Sequence, residues 1–502
     1  MNMNRFFATL GVALLLGGCT LTPQYNRPPA PVPAELPPAA SRLSPETPAA
    51  ADLTWQEFFT DPKLQQVIAI ALDNNRDLRL AALNVERARA LYGIQRAELL
   101  PSINASGSGS KQGIPAALSS SGNAMTVEQY SVNLGVASWE IDLFGRIRSL
   151  KKRALQQYLA TDEARRGTQI ALVSSVAGAY LTLAADLENL QLAQSTLHTQ
   201  QNAYDLIQNQ VDAGVATELD LRRSLTQVDT ARGELARYTQ LIAQDQNALN
   251  LLAGMPVAGE LLPDTLADII PPAEISAGLS SDVLLSRPDI IAAEHQLKAA
   301  YAYIGAARAA FFPRISLTAS IGTASDELTD LFGAGSDAWN FAPQIVLPIF
   351  DARTWAAYRV SKADREIALT QYEKTIQTAF RDVADSLAVL GTVEQQVAAQ
   401  QAVVDSAQRI YELSEQRYSQ GIDGYLGVLD AQRSLYAAQQ GLTYLRLSRL
   451  ANQVQLYAAL GGGTDPQSDR LKDEKNVERK TVEPDDEIGR NSDCAAVSGR
   501  GA

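Results

Sequence analysis

Two long stretches of this 502-residue chain contain no proline: none occurs between Pro115 and Pro256, and none between Pro348 and Pro466. Proline is the strongest helix breaker, because it lacks the backbone donor and clashes with the preceding turn. Within the first stretch the residues Leu172, Val176, Ala179, Leu183, Asp186, Leu190, Ala193, Leu197, Gln200, Tyr204, Ile207 and Val211 alternate by four and three. The same spacing recurs 207 positions on (Leu183 to Leu390), from Ala379 and Val383 through Val393, Val404 and Tyr411 to Tyr418. A sustained 3.5-residue period with a narrow seam specifies slender coiled-coil pairs rather than helices around a globular core. At about 1.5 Å per residue, the stretch from Ser149 to Ala213 runs on the order of 95 Å. Glycine then reverses the chain, at Gly214 in VDAGVATELDL and at Gly421 in YSQGIDGYLGVLD, and the returning helices reach Ala253 and Ala459.

Ahead of each long helix lies a pair of strand signals. In RISLTASIGT the residues Ile315, Leu317, Ala319 and Ile321 share one face, and Arg314, Ser316, Thr318 and Ser320 the other. YSVNLGVASW groups Tyr130, Val132, Leu134 and Val136, WNFAPQIVLPIF groups Trp339, Phe341, Ile345, Leu347 and Ile349, and SINASGSGS is the weakest of the four. KQGIPAALSSSGNAM and DELTDLFGAGSD read as the loops within the two pairs. Ahead of the strands, a segment ending at Pro101 aligns with one ending at Pro313, pairing Asp77 with Asp289, Gly93 with Gly305 and Arg96 with Arg308. The chain therefore reads as a two-fold tandem: 53–270 is a first repeat and 271–463 a second, each with short helices, a β-hairpin and a long helical hairpin.

The amino terminus has its own logic. Arg5, an apolar run from Phe6 to Leu16 and two glycines lay out a secretory signal over residues 1–18, too short to span a bilayer. Leu16, Gly17, Gly18 and Cys19 look like a lipobox, with acylation of Cys19 as the consequence, and Thr20 after it resembles outer-membrane sorting. The plainer alternative is an ordinary signal peptide with an incidental cysteine. Residues 19–52 carry a proline-rich run expected to be an extended, coreless tether. Residues 464–502 are charged and nearly free of apolar side chains, an acidic tail expected to be disordered. That tail holds Cys494, so no disulfide framework is expected. A net charge of −13 argues against nucleic-acid binding. His198 and His295 lie far apart on helical stretches and read as ordinary helix residues, and no metal spacing, phosphate loop or nucleophile–base set is present. The chain is thus not expected to be an enzyme, and no cofactor is expected beyond the covalent lipid. The RPD of Arg287, Pro288 and Asp289 reads as a helix start, and DLFGR as a strand-to-helix bend at Gly145.

No apolar run after the signal approaches helix-spanning length, so a membrane crossing would have to use the strands. Four strands cannot close a barrel, since open edges in lipid strand backbone groups at several kcal/mol each, and bacterial barrels begin at about eight. Two copies would supply eight strands and three copies twelve. The long helices would multiply in the same way into a cylinder continuing the barrel, and such a body is a conduit.

WQEFFTDPKL with ALDNNRDL, SWEIDLFGRIRS, LLSRPDIIAAEHQL, FFPRISL and RYSQGIDGYLGVLDAQRSL occur in this order. Together they make the chain from Cys19 to about Gly462 similar to the TolC-like outer-membrane efflux proteins, in their lipoprotein, OprM-like branch. The resemblance implies a mixed α/β membrane protein: a homotrimer in which each chain gives four strands to a twelve-stranded barrel and four long helices to a periplasmic tunnel. It implies passive export, with an inner-membrane pump of the resistance-nodulation-division type and a periplasmic adaptor as partners beside outer-membrane lipid. It also carries a gate onto Tyr418, Leu426, Asp430 and Arg433: Leu426 and Asp430 as two constricting rings, Tyr418 and Arg433 as the network holding the tip shut. Leu426, Asp430 and Arg433 share one helix face by spacing alone, and the plain reading is a solvated Asp430–Arg433 pair. The first repeat has Val211, Leu219, Arg223 and Thr226 in these places. Gly214, Leu219 and Gly421 mark the tip turns and the expected adaptor contact. A close rival is the same duct serving type I protein secretion, which the sequence hardly separates from efflux because the tunnel does not bind its cargo specifically; a structural lipoprotein tethering envelope layers is a rival of another class, and it would need no barrel strands. Only Met125 and Met255 remain after the signal, which disfavours soft-metal export.

Overall fold

The computed structural model describes residues 21–37, 50, 53–275 and 280–462. The signal, Cys19 and the acidic tail lie outside these residues. Among the described residues, eight α-helices and four strands follow one another along the chain. The first half holds α1 Trp55–Phe58, α2 Pro62–Asn74, α3 Arg76–Ala97, β1 Ile103–Ile114, β2 Met125–Glu140, α4 Arg146–Asp212 and α5 Glu218–Ala253. After a stretch of 3-10 turns come α6 Pro288–Ala309, β3 Arg314–Ser325, β4 Asp337–Val346, α7 Ala352–Ser419 and α8 Tyr425–Ala459. The two proline-free stretches are helical hairpins, α4/α5 and α7/α8, whose first helices run 67 and 68 residues.

The strands form one antiparallel sheet in the order β1-β2-β3-β4. Register sorts its two faces. Leu134 stands opposite Ala105 and Ile321, and Ile321 opposite Trp339, while Val136 stands opposite Ile103 and Ala319, and Ala319 opposite Phe341. Directly opposed residues share a face, so these rows build one apolar surface. The reverse face carries Asn133 opposite Ser106, and Ser320 opposite Asn340. One extra β2 residue is accommodated between Val136 and Trp139, where Ser138 takes φ 55°. A bulge of this kind keeps the apolar rows in phase while bending the strand.

Several expectations are corrected. Lys111–Ile114, read as loop, extend β1 and pair with Glu128–Met125; Lys111 and Glu128 form a cross-strand ion pair. Leu347 and Ile349 fall beyond β4, which ends at Val346. The tether is extended but not coreless over residues 21–37. Arg308 donates to the Leu21 carbonyl at 3.2 Å, Tyr25 packs edge-on against Tyr301, and Leu36 is buried. Arg27 makes a two-bond ion pair with the buried Glu294 (2.7 and 3.1 Å), which also takes Tyr25 Oη and Lys298 Nζ. Helix α4 also contains one stretch long and apolar enough to cross a membrane, contrary to the expectation of none. More than half of it is buried in the protein, because Val176, Tyr180 and Leu183 pack into the main core with Val67 and Ile68 of α2 and Val383 of α7. Phe58 stacks on Tyr457 at 3.9 Å in the same core, fastening α1 to the end of α8.

The helix-start and bend readings hold. Pro288 occupies the first turn of α6 with Asp289 beside it, and Arg287 clasps both Asp289 and the Ala459 carbonyl. Gly145 takes φ 75° at the head of α4. By contrast α3 buries nothing within the protomer and exposes Leu80, Leu83, Leu91 and Ile94, and α7 likewise exposes Trp355, Val360 and Ile367.

Candidate functional site

The two hairpins turn back through the same hydrogen-bond pattern. Gly214 (φ 74°) donates to Val211 and Val215 to Gln210; Gly421 (φ 70°) donates to Tyr418 and Ile422 to Arg417. This is a Schellman ending, whose left-handed residue is glycine because a Cβ there is strained. The turns differ in how they are braced. Thr217 caps α5 by accepting from Asp220 N at 3.2 Å, whereas Gly424 offers α8 no side-chain cap. Arg417 instead spans the second turn to Asp423 (2.5 and 3.0 Å), holding that carboxyl below its ordinary range.

The tips meet through tyrosines. Tyr418 on α7 donates its hydroxyl to Gln210 Oε1 on α4 at 2.8 Å and lies 5.2 Å, centroid to centroid, from the buried Tyr425. Ile207, Tyr425, Val428 and Leu429 form a small apolar cluster beneath them. Burial pushes the hydroxyl pKa of both tyrosines up, so each stays neutral; Tyr418 donates to Gln210, while the Tyr425 hydroxyl is enclosed without a hydrogen-bond partner among the described residues. A groove of about 860 Å³ runs between the tips, lined by Asn202, Gln210, Glu415, Tyr418, Gly421 and Tyr425 among others.

Leu426, Asp430 and Arg433 sit on the opposite side of α8, all exposed, with Leu426 at 57%. Their shared face is as the spacing required, because α8 turns its other side, Tyr425, Val428, Leu429 and Gln432, inward. Among the described residues neither the Asp430 carboxylate nor the Arg433 guanidinium has an ion-pair partner, so the plain solvated pair is not formed. Arg433 borders a slot of about 390 Å³ with Arg237, Glu234 and Tyr436. No hydrogen bond joins Tyr418 to Arg433 within the protomer; the structure separates the four gate candidates into one tyrosine at the hairpin junction and three residues on an outward stripe. Leu219 is exposed beside the first turn, as are Val215 and, at the second, Ile422.

Sequence reasoning missed Gln210, Tyr425 and the Arg417–Asp423 brace. The last had a signal, opposite charges flanking the glycine turn; Gln210 had none. Among the described residues no cluster of His, Cys, Asp and Glu is placed to hold a metal.

The family model described as outer membrane efflux protein matches residues 67–255 and 279–462. The toluene efflux pump outer membrane protein TtgC of Pseudomonas putida is 48% identical over 480 residues, covering 95% of this chain and 99% of the relative. The outer membrane protein OprJ of Pseudomonas aeruginosa is 43% identical, covering 91% and 96%. The open-state MtrE outer membrane channel of Neisseria gonorrhoeae superposes with a TM-score of 0.80 at 40% identity, covering 89% of this chain and 98% of MtrE. By sequence and by fold, the chain belongs to the outer membrane efflux protein family, in its TolC-like, OprM-like branch, and is an efflux channel of the outer membrane.

Proposed function

We propose that three copies of this chain, each built as two like halves, close into one twelve-stranded barrel continued by a twelve-helix tunnel. The observation that carries this reading is the sheet. Its apolar face is exposed along Leu134, Ile321, Trp339 and Phe341, yet β1 and β4 each keep an unpaired edge. In lipid those edges are untenable, at several kcal/mol for each unpaired group, unless β4 of one copy pairs with β1 of the next. The exposed apolar side chains of α3 and α7, Leu80, Leu83, Leu91 and Ile94 on one and Val360 and Ile367 on the other, support the same assembly, since they stay open to solvent in the protomer. Tripartite efflux then assigns the tips, with Gly214, Leu219 and Gly421, to a periplasmic adaptor, and the energy source to an inner-membrane pump of the resistance-nodulation-division type. Acylated Cys19 would add a lipid anchor; the described strap begins two residues later, tied to the end of α6 next to β3.

The outward stripe becomes the gate in this assembly. Around a threefold axis Leu426 forms an apolar ring that excludes water, and Asp430 a carboxylate ring that favours cations and repels anions. Tyr418 holds the second hairpin against the first, and Arg433 supplies the cation that offsets the carboxylate ring. The relatives named for toluene and antibiotic efflux make small hydrophobic molecules the favoured cargo. Native mass spectrometry of detergent-purified protein, paired with planar-bilayer recording, tests the assembly. A trimer that conducts is the expected result; a conducting monomer or dimer refutes it.

A further inference from the structure

In the first hairpin Asp186 on α4 and Asp245 on α5 lie at nearly equal chain distances on either side of Gly214. In an antiparallel pair that places them at one height, on the order of 40 Å above the tip. Nearer the tip the same register brings Arg232 Nη2 to Gln201 Oε1 at 3.4 Å. Both aspartates are half-buried, and Asp245 Oδ2 is enclosed without a hydrogen-bond partner. The charged groups nearby are already engaged. On α5, Arg237 is held by Glu234 at 2.7 Å, and on α4, Glu188 accepts from Thr443 and faces Arg446 of α8. The second hairpin carries no acid at the matching places: Val393 is buried, and the Asn452 amide donates to the Ser386 carbonyl at 3.0 Å.

We propose that Asp186 and Asp245 form a proton-operated clasp: sharing one proton they tie α4 to α5, and on losing it they repel and loosen the middle of the first hairpin. In the clasped form the Asp245 carboxyl donates its O–H to the Asp186 carboxylate. Raising the pH passes that proton to solvent and leaves two facing carboxylates. Burial raises the pKa of both groups, and the Asp186 charge pushes Asp245 further, to about 6. Arg237 draws Asp186 back toward its charged form. A folded-state pKa above the unfolded value gives stability that is complete below about pH 4 and lost as the pH rises through about 6. The stiffer wall that this gives the efflux duct in acid rests on the proposed tunnel; the clasp itself does not.

Amide hydrogen exchange on the full-length protein in detergent, at pH 5.0, 6.0 and 7.5 and corrected for intrinsic rates, tests it. Between pH 5.0 and 7.5, peptides spanning residues 180–190 and 240–250 should exchange roughly fivefold faster or more, since each pH unit between the unfolded and folded pKa values is worth up to tenfold and the effect levels off above the folded one. Peptides around Val393 and Asn452 should show no such change. Asp245→Asn keeps a donor but carries no charge, so its exchange should be slow and flat with pH. Wild-type exchange that changes no more than in the second hairpin, or Asp245→Asn with the wild-type pH dependence, overturns the proposal. Should Asp245→Asn fail to assemble, Asp186→Asn makes the same test. A protein shown not to be trimeric would remove the duct but leave this result standing.

Discussion

Removing the hydroxyl of Tyr418 should loosen the closed tip by an amount the geometry sets. The bond to Gln210 Oε1 is 2.8 Å long and half-buried, and it joins the two hairpins rather than neighbouring turns of one helix. A neutral hydrogen bond of this kind is worth about 1 kcal/mol net. Tyr418→Phe keeps the ring against Tyr425 and so isolates that contribution. If three subunits open together, the closed state loses about 3 kcal/mol, a shift of roughly a hundredfold in the opening equilibrium. If they open singly, the shift is only about fivefold per subunit. Tyr418→Ala should act more strongly, because the aromatic pair with Tyr425 adds about 0.5–1.5 kcal/mol. Single-channel open probability of the purified protein in planar bilayers measures the shift, and a double-mutant cycle with Gln210→Ala apportions it. If Tyr418→Phe leaves open probability unchanged, or if the cycle shows no coupling to Gln210, the junction does not hold the tip closed.

Leu426→Ala and Asp430→Ala should each raise single-channel conductance and vancomycin sensitivity of cells, with Asp430→Ala also lowering cation preference; wild-type values for both would place the constriction elsewhere. Gly322→Val should prevent assembly, since even a Cβ there falls 2.1 Å from the Val132 carbonyl oxygen, and loss of the trimer band on unheated gels checks this. Burial alone would raise the Glu294 pKa, but hydrogen bonds from Arg27, Lys298 and Tyr25 outweigh it and hold the carboxyl at about 2. A depressed carboxylate pKa stabilises above about pH 4.5 and that stability is lost as pH falls toward 2. The strap should therefore become protease-sensitive across that acid window, and in Glu294→Gln at neutral pH as well; equal resistance throughout would contradict it. Cys19→Ala should remove the acyl mass from the intact protein while leaving much of it in the outer membrane, and an unchanged mass would exclude lipidation.

The helical hairpins, their turns and the four strands were all legible in the chain because each follows from a local rule. A 3.5-residue seam without proline leaves little but long helices, a left-handed turn wants Gly214 and Gly421, and two-residue alternation marked β2 and β3. Even the outward stripe of Leu426, Asp430 and Arg433 follows from helical spacing. What escaped were contacts between residues far apart in sequence. β1 runs past Ser110 because Lys111 finds Glu128 on the next strand. The proline-rich strap is docked because Arg27 reaches Glu294, 267 residues away, and Tyr418 finds its acceptor 208 residues back, in Gln210. The apolar stretch of α4 reads the same whether lipid or protein covers it, and the packing of α2, α6 and α8 against it settles which. Periodicity fixes what each segment becomes and which side it turns inward, whereas the partner on that side is set by chain closure over hundreds of residues, where packing and charge pairing select among folds that local rules leave equal.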